Sequence, residues 1–422
     1  MSFVRKIVSD KLNLVIIFLF IVGLFFRLYN FPDRLIFGPE QGISFLTSAG
    51  NLTKFSLLGE TNLQRATTDS HIPFHGASYS YLILPLLLIF NFRVLPVTLI
   101  FALLNIFTAW VFYLVTKKLF GKPMAVLSLF FFLFSSVMIH HSLFAWILNP
   151  LPLLGVLTLW RLSLLYLDNK KLLPVFWIGF MSGLGFGLQN LYLPFGIFLF
   201  ILIILLSKKK FSSMVIFPVG AIIGNLPMVL FDIRHDFYHV RTMWQYFLDV
   251  TSHRISGFTD YYHFLYLFPY LFIFYAFISL ICYRIYKPLV YIPLIIFLYF
   301  NLGSPMVNLK QSTGMPSRIT LATLETASSL IAQDTPPEKF NVATLWDFDT
   351  RSHPMRYLLR YYYGLTAQPV EEYKNIDALY VFSPAIYDLD NPQVWELQSF
   401  FPYQVSDLNI GVPGYRLYKL TK

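Results

Sequence analysis

Uninterrupted apolar runs dominate the first 300 positions of the chain, and short basic clusters punctuate them. Runs long enough to cross a bilayer begin near Leu12, Val97, Pro123, Pro150, Leu172, Pro194, Met214, Phe264 and Pro288. A spanning helix needs roughly 20 apolar residues, so the pattern predicts about nine spans. The run from Tyr79 to Phe90 is strongly apolar but short, which suits an interfacial or re-entrant segment better than a crossing. It ends a long loop, about residues 30–94, that also holds a helix-like stretch from Gln41 to Phe55. From about residue 305 the apolar runs shorten and polar residues alternate with them. Helix-like segments (Ile319 to Ala332, Met355 to Tyr363, Val394 to Phe401) then interleave with strand-like ones (Phe340 to Leu345, Ala378 to Phe382, Tyr415 to Leu420). That interleaving predicts a small α/β domain.

Composition agrees with the pattern. Of 422 residues, 56% are hydrophobic and only 13% are charged, against about 25% charged in an ordinary soluble domain. A soluble fold has no place to hide this much apolar surface. The single Cys282 excludes a disulfide framework and a cysteine-based zinc site. The net charge of +10 invites a nucleic-acid reading until it is located. Thirteen bases fall in five clusters between the spans: Arg5, Lys6, Lys11; Lys117, Lys118, Lys122; Lys170, Lys171; Lys208 to Lys210; Arg284, Lys287. Only Asp10 and Asp168 oppose them there. With Tyr79–Phe90 kept at the surface, all five clusters fall on one side, the positive-inside pattern of a membrane protein. No nucleic-acid partner is needed. The prediction is a mainly α, polytopic helical bundle over residues 1–304 and an extracytoplasmic α/β domain over 305–422. It sits in the cytoplasmic membrane with the N-terminus inside. The first span follows a basic stretch without a small-residue cleavage site and reads as an uncleaved anchor.

This topology places the reactive groups on the outer side. No Asp or Glu lies within a proposed span, and all nine His fall outside. Amphipathic rings also settle at membrane interfaces for no catalytic reason, so position alone assigns chemistry to no single His. The first outer loop is the focus. Gly38-Pro39-Glu40-Gln41-Gly42 opens its helix-like stretch. Pro39 suits a helix start and an acid in the first turn favours the helix dipole, so Glu40 has a structural reading beside a chemical one. The loop continues with Glu60, Gln64, Arg65, Asp69 and His71, then Phe74-His75-Gly76-Ala77-Ser78-Tyr79. His235 and His239 stand four apart, a spacing that shares a helix face, with Asp232, Asp236 and His253 nearby in sequence. No metal-binding motif accompanies them. Arg27, near the end of its span, is expected to snorkel to the interface. Arg161 is deeper and has no acid within any span to pair with.

The chain resembles the GT-C superfamily of integral-membrane glycosyltransferases, in particular the protein O-mannosyltransferase and aminoarabinose-transferase branch with its bacterial relatives. The likeness covers roughly residues 12–240. It rests on Glu40 after Pro39 at the start of the first-loop helix, and on the His75 turn leading into an aromatic interfacial run. Further along it rests on the short second outer loop ending Asn149-Pro150, on Gln189 with Tyr192, and on Phe231-Asp232-Ile233-Arg234-His235. The family pattern has Asp where Glu40 stands, an acid at Gln41 and often an Asp at Asn149.

The resemblance implies transfer of a sugar from a polyprenyl-phosphate-linked donor to an acceptor hydroxyl of a glycan, lipid or protein. Such a donor already carries a good leaving group, so one carboxylate base and a few cationic or N–H groups suffice. Glu40 is the implied base. His75, Arg65 and Arg234 are candidates for the donor phosphate. Asn149, Gln189, Tyr192, Asp69, His71, Asp232 and His235 are candidates for sugar or acceptor binding. In-line attack would invert the anomeric centre. No cofactor is required; a divalent metal is the lesser alternative, and no metal ligand is assigned. Two other classes compete: a transporter or flippase of a lipid-linked glycan, and a catalytically inert scaffold, for which Gln41 and Asn149 speak.

Overall fold

The computed structural model describes residues 2–61, 74–252 and 260–422. Arg65, Asp69, His71 and His253 lie outside the described residues. In chain order the first elements are α1 (Ser2–Leu28), α2 (Phe31–Arg34), α3 (Pro39–Gly50), β1 (Leu58–Thr61), β2 (Phe74–Gly76) and α4 (Ser78–Ile89). The helices that follow are α5 (Val94–Phe120), α6 (Lys122–Phe134), α7 (Ser136–His140), α8 (Leu151–Leu167), α9 (Leu173–Leu188), α10 (Tyr192–Leu206) and α11 (Lys210–Gly224). Next come α12 (Leu226–Arg234), α13 (Tyr238–Thr251), a 3-10 turn over Tyr261–Leu267, α14 (Phe268–Ile285) and α15 (Tyr291–Leu302). The tail holds α16 (Leu321–Gln333), β3 (Phe340–Thr344), α17 (His353–Tyr363), β4 (Ala378–Pro384), α18 (Trp395–Gln398), β5 (Gln404–Asp407) and β6 (Tyr415–Thr421).

An apolar helix stands at every position where a span was expected. Among the described residues, Val94–Phe120 and Tyr261–Ile285 are long and apolar enough to cross a membrane alone. Helices α11 and α12 qualify together but meet at an 85° bend. The other apolar helices run 10–17 residues. The short run of the first loop is a helix, α4, with Pro85 inside it. Helix α3 stops at Gly50, five residues before the Phe55 expected from the pattern.

Contacts divide the chain into two units. The first takes in residues 1–29, 53–82 and 99–307. Its tightest packing is α9 on α11, and glycine spacing makes it possible. A Cβ on Gly183 would lie 1.9 Å from the Ala221 carbonyl oxygen, and one on Gly179 would lie 2.2 Å from that of Phe217. In return, Gly220 and Gly224 would meet the Phe176 and Phe180 carbonyls at 2.3 and 2.1 Å. Two small-x-x-x-small pairs thus let the backbones touch, the usual device where lipid removes the hydrophobic drive between helices. The expectation for Arg27 is corrected here. It is fully buried rather than snorkelling. Its guanidinium donates to Asn105 Oδ1 (2.9 Å) and to the Gly23 and Leu133 carbonyls (2.9 and 3.0 Å), which satisfies the charge inside the bundle. Arg161 lies over the Trp160 and Trp177 rings, at 4.5 and 5.7 Å, a cation–π solution for a cation without an acid.

The second unit takes in residues 30–52, 83–98 and 308–422, so first-loop segments pack with the tail. Its sheet has the order β3-β4-β6-β5. Strands β3 and β4 are parallel, with Phe340 opposite Ala378, and the remaining pairs are antiparallel. Ala343, Leu379, Val381 and Leu420 fill the sheet core with Tyr373, Leu397 and Phe400. Helix α17 meets α3 through Gly42, where a Cβ would lie 2.5 Å from the Pro354 nitrogen. Phe37, Phe45 and Tyr357 pack edge to face at 5.4–5.8 Å between ring centres. The Tyr357 hydroxyl donates to the Phe92 carbonyl at 2.7 Å, and Val94 N–H donates to the Tyr362 hydroxyl at 2.9 Å.

Candidate functional site

In the second unit the chemistry gathers at the start of α3. Pro39 occupies the first helical turn, and Gln41 folds back so that its Oε1 accepts from Gly38 N–H at 3.0 Å. This is the return half of a capping box. Gln41 therefore has a local job that an acid there would do no better, and Glu40 is left free of it. Glu40 is half-buried. Burial lifts its carboxyl to about 7, and the negative charge of Asp347 adds in the same direction. Asp347 comes from the turn between β3 and α17. That turn is held by Asp349, whose Oδ2 accepts from His353 Nδ1 (2.8 Å) and from His353 N–H (3.1 Å), and by Thr344, whose hydroxyl donates to the Asp349 carbonyl (2.9 Å).

In the first unit the focus is His75 on β2. The antiparallel pair β1–β2, with Leu58 opposite Gly76 and Thr61 opposite Phe74, presents it. His75 is lowered to about 4, first by burial and then by His239 and His263, while a hydrogen bond to the Leu188 backbone opposes the shift. The ring is therefore neutral at pH 7. Its Nδ1 is buried and has no hydrogen-bond partner among the described residues. Next to it, Gly76 and Gly187 approach so closely that a Cβ on either would meet Asn225 Oδ1, at 3.2 and 2.5 Å. Asn225 is the residue at the bend between α11 and α12.

The first unit links two of the sequence candidates, Gln189 and Asp232, to this point through His263 and His239. Gln189 caps α9 and donates from Nε2 to His263 Nδ1 at 2.6 Å. Asp232 is buried on α12 and its Oδ1 accepts from His239 N–H at 2.7 Å. Burial lowers His239, with Asp232 opposing. Tyr192 is buried at the start of α10 with its ring 4.5 Å from Tyr266. Asn149 closes its own loop: its Nδ2 donates to the Phe144 carbonyl and its Oδ1 accepts from His141 Nδ1 at 3.3 Å. Arg234 and His235 are exposed. His235 lies on Phe231, with ring centres 4.1 Å apart, and donates to that residue's carbonyl. The expected shared helix face of His235 and His239 is corrected. Asp236 and Phe237 between them adopt positive φ, 51° and 57°, which ends α12 before α13 begins. Among the described residues no three His, Cys, Asp or Glu side chains form a metal-binding group.

Sequence reasoning missed Asn225 and Asp347. Neither stands in a motif, and each reaches its place only through tertiary packing.

Comparison with known proteins adds family and fold. Residues 75–230 match the family model of dolichyl-phosphate-mannose-protein mannosyltransferases. The match begins at His75 and ends just short of Asp232. The chain superposes on the crystal structure of ArnT from Cupriavidus metallidurans bound to undecaprenyl phosphate with a TM-score of 0.60. The two are 11% identical, and the alignment covers 96% of this chain and 97% of that one. The likeness shows that the chain shares the fold of that ArnT. The same ArnT in its apo state aligns at a TM-score of 0.50 and 11% identity, over 99% of this chain and 98% of that one. No curated protein matches the sequence. That shared fold accounts for a mainly helical chain with a small sheet region.

Proposed function

We propose that the chain transfers a sugar from a polyprenyl-phosphate-linked donor to an acceptor hydroxyl at the outer face of the cytoplasmic membrane. Glu40 takes the acceptor proton. The observation that carries this reading is the Glu40 carboxyl held near 7 at a helix start. A general base works best when its pKa lies near the operating pH, and a structural first-turn acid has no need of such a shift. The match to the mannosyltransferase family model and the ArnT structure with undecaprenyl phosphate support the donor class. The attacking hydroxyl displaces the phosphate directly, so the anomeric configuration inverts. The departing phosphate needs positive charge, which Arg65 and Arg234 supply as forked donors. His75 is neutral until an anion arrives, and a phosphate beside it favours the imidazolium. Asn149, Gln189, Tyr192, Asp69, His71, Asp232 and His235 remain candidates for sugar and acceptor contacts. The reaction needs no cofactor. The capping role of Gln41 removes one argument for an inert scaffold.

The test is release of free polyprenyl phosphate from a panel of polyprenyl-phosphate sugars by purified protein. Release by wild type and its loss in Glu40→Gln, in folded protein, is the expected result. Equal release by both proteins overturns the role of Glu40.

A further inference from the structure

The first unit carries a groove of about 360 Å³ between α9, α10, α11, α12 and α13. Its floor is apolar: Leu193, Ile197 and Phe200 from α10 face Phe217 and Ile222 from α11. From Leu193 to Phe200 the trough follows about 10 Å of helix rise. Leu193, Ile197 and Ile222 are each about half exposed along it, so it opens sideways rather than closing as a core void.

One end is different. Where α11 breaks into α12, the wall is made by Asn225 and Asp232, which are only 5% and 6% exposed. Asn225 Oδ1 is buried with no hydrogen-bond partner among the described residues. Asp232 adds a carboxylate, which carries acceptors only. Ser182 also lines the groove, but its hydroxyl already donates to the Ile178 carbonyl at 2.9 Å. Among the described residues no Lys or Arg lines it. An apolar trough about 10 Å long, running beside apolar helices and ending in acceptors, has the shape of a single-chain amphiphile. The end chemistry selects the head. Among the described lining residues a phosphate there would face the Asp232 carboxylate with no Lys or Arg beside it, whereas hydroxyl or N–H donors would satisfy both Asn225 and Asp232.

We propose that this groove holds the hydrocarbon chain of the acceptor, a lipid whose head offers hydroxyl donors to Asn225 and Asp232. The inference rests on the transferase reading and narrows its acceptor from glycan, lipid or protein to lipid. The donor's polyprenyl chain lies outside this groove.

The experiment uses the full chain in nanodiscs with two photoreactive probes, a diazirine-bearing long-chain alkyl glucoside and a diazirine-bearing polyprenyl phosphate. Crosslinked peptides are mapped by mass spectrometry. The glucoside should label residues 193–232, and an excess of plain alkyl glucoside should compete. Gly196→Phe fills the trough: a Cβ there meets only Ser182, at 3.5 Å, an ordinary contact. That variant should cut labelling about tenfold, and Ile197→Trp serves as a second filler if Gly196→Phe fails to fold. Asp232→Asn should raise labelling by the phosphate probe. Preferential labelling of the wild-type groove by polyprenyl phosphate overturns the proposal, as does glucoside labelling that survives both fillers. Glu40→Gln separates the two readings. Lost release with labelling intact supports both. Release that ignores Glu40 sinks the base assignment, and the labelling arms still decide the groove.

Discussion

Glu40 and His75 are two half-buried titratable groups in different units, and desolvation pushes each toward its neutral form. The acid is raised to about 7 and the imidazole is lowered to about 4. The direction is the same physics applied to opposite charges. The consequence differs because only Glu40 ends near physiological pH. It can give and take a proton there, while His75 stays fixed until a charged ligand changes its surroundings. The neighbours differ as well: a carboxylate, Asp347, for Glu40, and two imidazoles, His239 and His263, for His75.

The strongest way to break this contrast is to remove the proton acceptor. Glu40→Gln should lower turnover by roughly 10²–10⁴-fold, the usual worth of a positioned base. The rate of polyprenyl phosphate release measures it. In the wild type that rate should rise with pH through about 7, because the ionised carboxylate is the active form. A flat profile would remove Glu40 from the proton path.

Next in size is the packing behind His75. Gly183→Leu would drive a side chain into the Ala221 carbonyl, 1.9 Å from where its Cβ must sit. We expect a loss of about 3 kcal/mol or more, at the overpacked end of core substitutions, seen as a fall in thermal midpoint in detergent. Gly196→Ala, with open space at its Cβ beyond Ser182, should leave the midpoint nearly unchanged.

The third prediction uses the opposite signs directly. Unfolding returns Glu40 to about 4.5 and His75 to about 6.5. Between pH 4.5 and 7 the folded chain holds the Glu40 proton more tightly than the unfolded chain, so that group's contribution falls as pH rises. Between pH 4 and 6.5 the unfolded chain binds the His75 proton more tightly, so that contribution grows as pH rises. Each limb is on the order of 3 kcal/mol, and over the shared window they largely cancel. Glu40→Gln should therefore expose a rising limb in thermal midpoint from pH 4.5 to 6.5, and His75→Gln a falling one. Parallel profiles for the two variants would show that one of the groups is not buried as described.

How far the sequence reveals these two stations depends on distance along the chain. Glu40 and His75 stood out because the first loop gathers polar residues between long apolar runs. The tail elements were equally legible: strands at Phe340, Ala378 and Tyr415 begin where alternation begins. Strand β5, Gln404–Asp407, is an exposed edge strand of mostly polar residues and carries no such signal. Strands β1 and β2 have four and three residues, too few for a period to appear. The Gly179–Gly183 and Gly220–Gly224 spacings were written in the chain, but only the structure shows that they face each other. Asn225 reaches the His75 region across 150 positions, and Asp347 reaches Glu40 across about 300. Composition and periodicity have no term for contacts of that range.

The smallest effect tests the last of these contacts. Asp347 is the second cause of the Glu40 shift, after burial. Asp347→Asn keeps the shape of the turn, since its Oδ1 still accepts from Phe348 N–H, a bond of 2.6 Å. Only the charge goes. The midpoint of the pH–rate profile should then move down by less than about one unit, because burial remains and supplies the larger part. The pH midpoint at which the carboxylic C=O band of Glu40 disappears, isolated in the infrared by subtracting Glu40→Gln, should move by the same amount. Asp349→Asn is the companion variant. It weakens the hold of the turn on His353 and leaves the Asp347 charge in place, so a shift seen with it alone would mean that the turn acts through shape. A shift confined to Asp347→Asn means that one carboxylate from the tail sets the working pH of a base in the first loop.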